Sequence, residues 1–191
     1  MSQPQEIIEF WFGKLDDPEY GKPRQVWFTK NAAFDEEVRS RFILDYQEAA
    51  AGKVDKWKNS PLSCLALIIL LDQFPRNMFR DSPQAFATDS QALDVAKYAV
   101  ACGFDLELLP LQRWFIYLPF EHSENLDDQR QSIELFSTLK DDPESDSTIK
   151  YAYRHLEVIE LFGRFPHRNR ILGRETTPKE AEFLQQPGSS F

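Results

Sequence analysis

Cysteine is scarce in this chain: two residues, Cys64 and Cys102, in 191. Neither stands in a Cys-x-x-Cys or Cys-x-x-His spacing, which excludes a zinc ribbon or a dithiol redox motif. Both are expected as reduced, buried thiols. Glycine is scarce too, seven residues, and no glycine-rich phosphate loop is present. The longest hydrophobic run, Leu62 to Leu71, spans ten positions, about half of what a bilayer crossing needs. The opening residues Met1 to Glu6 lack the basic segment of a signal peptide. These absences point to a soluble, cytoplasmic protein with no membrane partner. Positive charge is in deficit, 22 Lys and Arg against 31 Asp and Glu, for a formal net charge of −9. Such a balance argues against nucleic acid as a partner, which needs a basic surface. No nucleophile elbow is present, and the three histidines share no metal-binding spacing, so neither a metal nor a cofactor is read from the chain.

What the chain has in quantity is aromatic side chain: sixteen Phe, four Trp and six Tyr. Most of these belong in a core, and a length of 191 residues suits a single domain spanning 1–191. The pattern is helical nearly throughout. Pro4 opens a helix with an apolar stripe at Ile7, Ile8, Trp11 and Phe12, closed by Gly13. Asn31 caps a long helix to Ala51, with Phe34, Val38, Phe42, Tyr46 and Ala49 on one face and Gly52 as the stop. Ser60-Pro61 opens the run Leu62–Leu71, apolar on every face, read as a buried central helix because no second strand-like run exists to pair with it. It is expected to end at Asp72 and Gln73, with Pro75 pushing Phe74 out of helical geometry. Thr88 or Asp89 caps the next helix. Pro110 starts an aromatic one over Leu111–Leu118 that Pro119 should end. Ser123 caps another, and Lys140 to Asp146 reads as an exposed loop. Ser147 or Thr148 starts a helix closing at Gly163. Thr177-Pro178-Lys179-Glu180 joins a capping box to a proline at the first helical position. The expectation is an all-α fold of about eight helices in stacked antiparallel pairs around the central one.

Against that background three groups of polar residues stand out. Asp72 follows an apolar helix, where a carboxylate faces the partial negative charge of the helix end and loses water. A cation must compensate, and arginine suits the task because its planar fork holds a carboxylate through two bonds. Arg76 and Arg80 are near in sequence, Arg164 and Arg168 distant. The second group is Glu121-His122-Ser123-Glu124, an imidazole bracketed by acids. It reads either as helix capping or as His122 poised by Glu121 or Glu124 for general acid–base work. The third is Leu161 to Arg174, which holds four arginines and His167 with no acid. The phrase Phe-Pro-(His)-Arg-Asn occurs in it and again at Phe74 to Asn77. Folded together, Arg76, Asn77, Arg80, Arg164, His167, Arg168, Asn169 and Arg174 form a recess for a small anionic molecule or an acidic peptide group. His155 reads as a satisfied core histidine.

Three phrases together resemble one family, the bacterial domain of unknown function numbered 924. They are Leu-Leu-Asp-Gln-Phe-Pro-Arg-Asn at Leu70 to Asn77, Tyr-Leu-Pro-Phe-x-His-Ser-Glu at Tyr117 to Glu124, and Phe-Gly-Arg-Phe-Pro-His-Arg-Asn at Phe162 to Asn169, with Leu-Gly-Arg at Leu172 to Arg174. The resemblance covers essentially the whole chain and implies a tetratricopeptide-like helical fold. It implies no reaction, cofactor or catalytic residue. Three readings therefore stand: a binding protein using the arginine recess, an enzyme using His122, Glu124 and Asp72, or an internal ion-pair hub with no ligand.

Overall fold

A computed structural model of the chain describes residues 2–190, and among them there is helix and turn but no strand. Helix α1 (Pro4–Phe12) starts on a proline, whose absent N–H costs nothing at that position, and buries Ile7, Ile8, Trp11 and Phe12. Helix α2 (Ala32–Ala50) is capped by Asn31, whose side chain accepts from the backbone N–H groups of Ala33 and Phe34. Its buried stripe is Phe34, Val38, Phe42, Tyr46 and Ala49, as the three- and four-residue spacing requires.

The central segment departs from expectation. Helix α3 (Pro61–Ile68) passes into a π turn (Ile69–Gln73) and on into α4 (Phe74–Met78). Phe74 stays helical at φ −60°, ψ −39°, so Pro75 does not end the rod. The π turn is the physical reason: the Phe74 N–H donates to the Ile69 carbonyl, and the extra residue per turn makes room for the proline ring. The carbonyl of Leu71, which the proline nitrogen cannot serve, accepts instead from the Thr88 hydroxyl at 2.6 Å. The next carbonyl, Asp72 O, accepts from Arg76 Nη1 at 2.6 Å. Cys64 through Gln73 are all buried.

Helix α5 (Asp89–Ala101) follows, and then α6 (Pro110–Glu121), which runs through Pro119 rather than stopping before it. Helix α7 (Leu126–Ser137) is capped by Asn125, not Ser123, whose hydroxyl instead donates to Asp128. Helix α8 (Asp146–Phe162) ends on Gly163 at φ 67°, a left-handed turn that glycine takes without strain. Within the segment 140–146, Ser145 is buried, held between Trp114 Nε1 and Asp142. Helix α9 (Pro178–Phe183) carries the capping box of Thr177 and Glu180. Counting α3, the π turn and α4 as one bent rod, the described residues form eight rods.

Consecutive rods α5, α6, α7 and α8 pack on one another, and α3 touches α1, α5 and α6. Phe10, Trp11, Phe12, Trp27, Phe34, Phe42, Phe74 and Phe115 meet ring to ring at 4.9–6.1 Å, where edge and stacked contacts add to burial. A small satellite cluster of Val158, Ile159 and Phe165 lies under the C-terminal segment. Cys64 is buried, but Cys102 is exposed, which corrects the expectation of two buried thiols.

Candidate functional site

Asp72 has no solvent exposure, and three side chains answer its charge. Its Oδ1 lies 2.7 Å from His122 Nδ1 and 3.3 Å from Arg76 Nη1, and its Oδ2 accepts from Gln73 Nε2 at 2.6 Å. The π turn places Asp72 there, and the C-terminus of α6 delivers His122. Burial works against the Asp72 charge, but Arg76 and the His122 hydrogen bond outweigh it and hold the carboxyl well below its usual range. Burial and Arg76 together lower His122 from its ordinary value, with Asp72 pulling the other way. At neutral pH the ring is uncharged, so its Nδ1–H donates to Asp72 and Nε2 keeps a lone pair. The His122 side chain is 14% exposed, and no described protein group hydrogen-bonds to Nε2.

The two Phe-Pro-(His)-Arg-Asn copies do converge, through a residue whose place in the sequence marks only a helix start. Asp89, the first residue of α5, accepts from Arg76 Nη1 and Nη2 at 2.8 and 3.1 Å, and its Oδ2 lies 3.5 Å from Arg168 Nη1. Arg168 also donates to the His122 carbonyl at 3.1 Å, and its guanidinium is sandwiched between Phe86 and Phe165 at 4.7 and 4.5 Å. Burial, with Arg76 nearby, brings Arg168 down to about 10. Asp72, Arg76, His122 and Arg168 therefore form one group with Asp89, in which Asp72 and Arg168 are buried and the other three partly so.

The other predicted residues go elsewhere. Arg80 and Asn77 both bind Asp35 in the first turn of α2, at 2.5 and 2.8 Å. Arg164 pairs with Glu180 at 2.6 and 2.9 Å, tying the end of α8 to α9. Arg174 grips Glu124 at 2.7 and 3.0 Å and also donates to Asn169 Oδ1 and the Phe165 carbonyl. Glu124 is thus committed to Arg174 and to the Phe165 N–H, so Asp72 rather than Glu124 holds His122. His167 lies tilted against Phe165, and burial with Arg168 takes it down to about 4.

A second polar pair lies behind the first. Glu121 Oε1 is 3.0 Å from His155 Nδ1, which also meets the Tyr151 carbonyl at 2.8 Å. Burial, aided by the Asp72 charge, pushes Glu121 up to about 8, and burial takes His155 down to about 3 against its bond to Tyr151. Both are uncharged near neutrality, so their contact is a neutral one. Asp35, Asp89 and Glu180 were missed as arginine partners. Each sits in a helix first turn, where the helix dipole already accounts for an acid, and that was the available signal. No group of three His, Cys, Asp or Glu side chains among the described residues could hold a metal ion.

Fold and geometry together define a class: an all-helical protein laced by partly buried arginine–carboxylate pairs around an aspartate–histidine dyad. The chain belongs to the bacterial family of proteins of unknown function numbered 924 (DUF924), whose profile matches residues 7–188. A solved structure of a protein of unknown function, ATU0120 from Agrobacterium tumefaciens, is similar to it at 39% identity and a TM-score of 0.84. That likeness covers 95% of this chain and 96% of the other. No curated protein matches.

Proposed function

We propose that this protein is an acid–base enzyme in which His122 Nε2 accepts a proton from a small molecule bearing a phosphate or carboxylate. One observation carries the reading: a fully buried aspartate lies 2.7 Å from His122 Nδ1, and the second ring nitrogen has no hydrogen-bond partner among the described residues. Asp72 fixes the tautomer and stabilises the imidazolium that forms when the proton arrives, so the charge is balanced within the dyad. Arg168 and Arg76 lie beside it and favour negative charge developing on the substrate.

Neutral Nε2 is the form that reacts with diethylpyrocarbonate. Mapping by mass spectrometry should find His122 acylated ahead of His155 and His167. A panel of phosphate- and carboxylate-bearing compounds in deuterated water should show proton exchange by NMR that His122→Asn abolishes. An unreactive His122 together with no exchange in the wild type would overturn the proposal.

A second reading is favoured by one observation: Arg76, Arg80, Arg164, Arg168 and Arg174 each already meet a carboxylate of the chain. That supports an internal ion-pair hub over an open anion recess. It predicts that phosphate or a dicarboxylate leaves the melting temperature unchanged, whereas the recess predicts a rise that Arg168→Ala removes. The consecutive packing of α5 to α8 supports, within this proposal, the tetratricopeptide-like arrangement that the family resemblance implies.

A further inference from the structure

A cleft of about 470 Å³ lies away from the dyad, lined by Tyr20, Leu62, Leu106, Glu107, Leu109 and Gln112 among others. It sits where α3 and α6 begin, while Asp72 lies in the π turn after α3 and His122 follows the end of α6. The separation is roughly 18 Å along a helix of twelve residues. Three of the large exposed hydrophobic side chains converge on this one place: Leu62 at 42%, Leu106 at 71% and Leu109 at 44% exposure. Leucines left in water together mark a contact surface rather than scattered exposure.

The polar groups narrow the partner. Gln112 is already satisfied, accepting from the Leu109 N–H and donating to the Tyr20 hydroxyl. Glu107 is the one carboxylate in the lining, it is exposed, and it enters no ion pair among the described residues. The loop carrying Tyr20 holds Asp16, Asp17 and Glu19 against Lys14, Lys22 and Arg24; Lys22 is taken up by Glu19 at 2.9 Å, and Arg24 donates to the Phe10 and Trp11 carbonyls. The chain as a whole carries −9. Exposed leucines, an unpaired acid among the lining residues and an acidic molecule around them are complementary to one chemistry.

We infer that this cleft docks a leucine-bearing, basic segment of a partner protein, with aliphatic side chains on Leu62, Leu106 and Leu109 and a lysine or arginine against Glu107. The proposal does not depend on the acid–base reading. It is tested with three short helical peptides of one length: leucine with lysine, leucine with glutamate, and serine with lysine. Amide NMR spectra of the full chain follow Tyr20, Leu62, Leu106 to Leu109 and Gln112. The leucine–lysine peptide should shift those amides. The other two should leave them in place, and Glu107→Lys should weaken binding about tenfold and raise affinity for the glutamate peptide. Leu106→Ser, at an exposed position, should weaken binding without altering the fold. The inference falls if the glutamate peptide binds equally or the shifts map elsewhere. It falls too if hexylammonium fills the cleft while no peptide does, which would make it a small-molecule pocket.

Discussion

Asp72 and Glu121 are both buried carboxyls close to each other, yet their protons behave oppositely. Asp72 has Arg76 and His122 within hydrogen-bond or ion-pair distance and stays charged. Asp72→Asn leaves Arg76 and the dyad histidine without their buried anion, and urea unfolding should show a loss of about 3–5 kcal/mol. The same change removes the strongest group favouring imidazolium, so NMR titration should find His122 lowered further. Glu121 has only a neutral histidine and keeps its proton between about 4.5 and about 8, a window in which the unfolded chain has lost it. The folded state there binds more protons, so stability falls as pH rises through that window, by up to about 1.4 kcal/mol per pH unit. His155 and His167, lowered to about 3 and about 4 from 6.5, act the other way: stability rises with pH until the unfolded imidazoles also lose their protons. Their sum places a maximum near 6.5. Thermal melts of Glu121→Gln should lose the decline above that pH and keep the rise below it.

At the level of elements, the central rod shows what a local rule misses. The sequence predicts that Pro75 pushes Phe74 out of helical geometry, and within a helix the proline ring also collides with a carbonyl one turn back. The collision is real, and the chain answers it with a π turn and a threonine hydroxyl from the start of the next long helix. Thr88→Val keeps the side-chain shape and strands the Leu71 carbonyl, at a cost of about 1–3 kcal/mol in urea unfolding. Pro75→Ala in the same background should recover part of that loss, since its N–H can serve the carbonyl. Caps at Asn31 and Thr177 were legible because their hydrogen bonds lie within three residues. The π turn was not, because its rescue comes from a residue far along the chain. Ser123 fails as a cap for a local reason instead: its hydroxyl donates to Asp128, five residues on, and Asn125 takes the capping role.

Across the molecule, the sequence located the convergence of Arg76 with Arg168 and the need of Asp72 for a cation. It did not reveal which acids complete each pair. Asp35, Asp89 and Glu180 lie in helix first turns, and their arginines arrive from other rods or the turns that follow them. Such partners depend on how rods dock, which periodicity alone does not encode. The placement of Asp89 between the two arginines has a consequence for the chain as two pieces. Glu124 and Asp89 lie before the acidic segment near Asp141, while Arg168 and Arg174 lie after it. A backbone nick between Asp141 and Asp142 would therefore leave interlocking charges on separate polypeptides. Size-exclusion chromatography should find the halves eluting together at low ionic strength, with Asp89→Asn and Glu124→Gln combined letting them part.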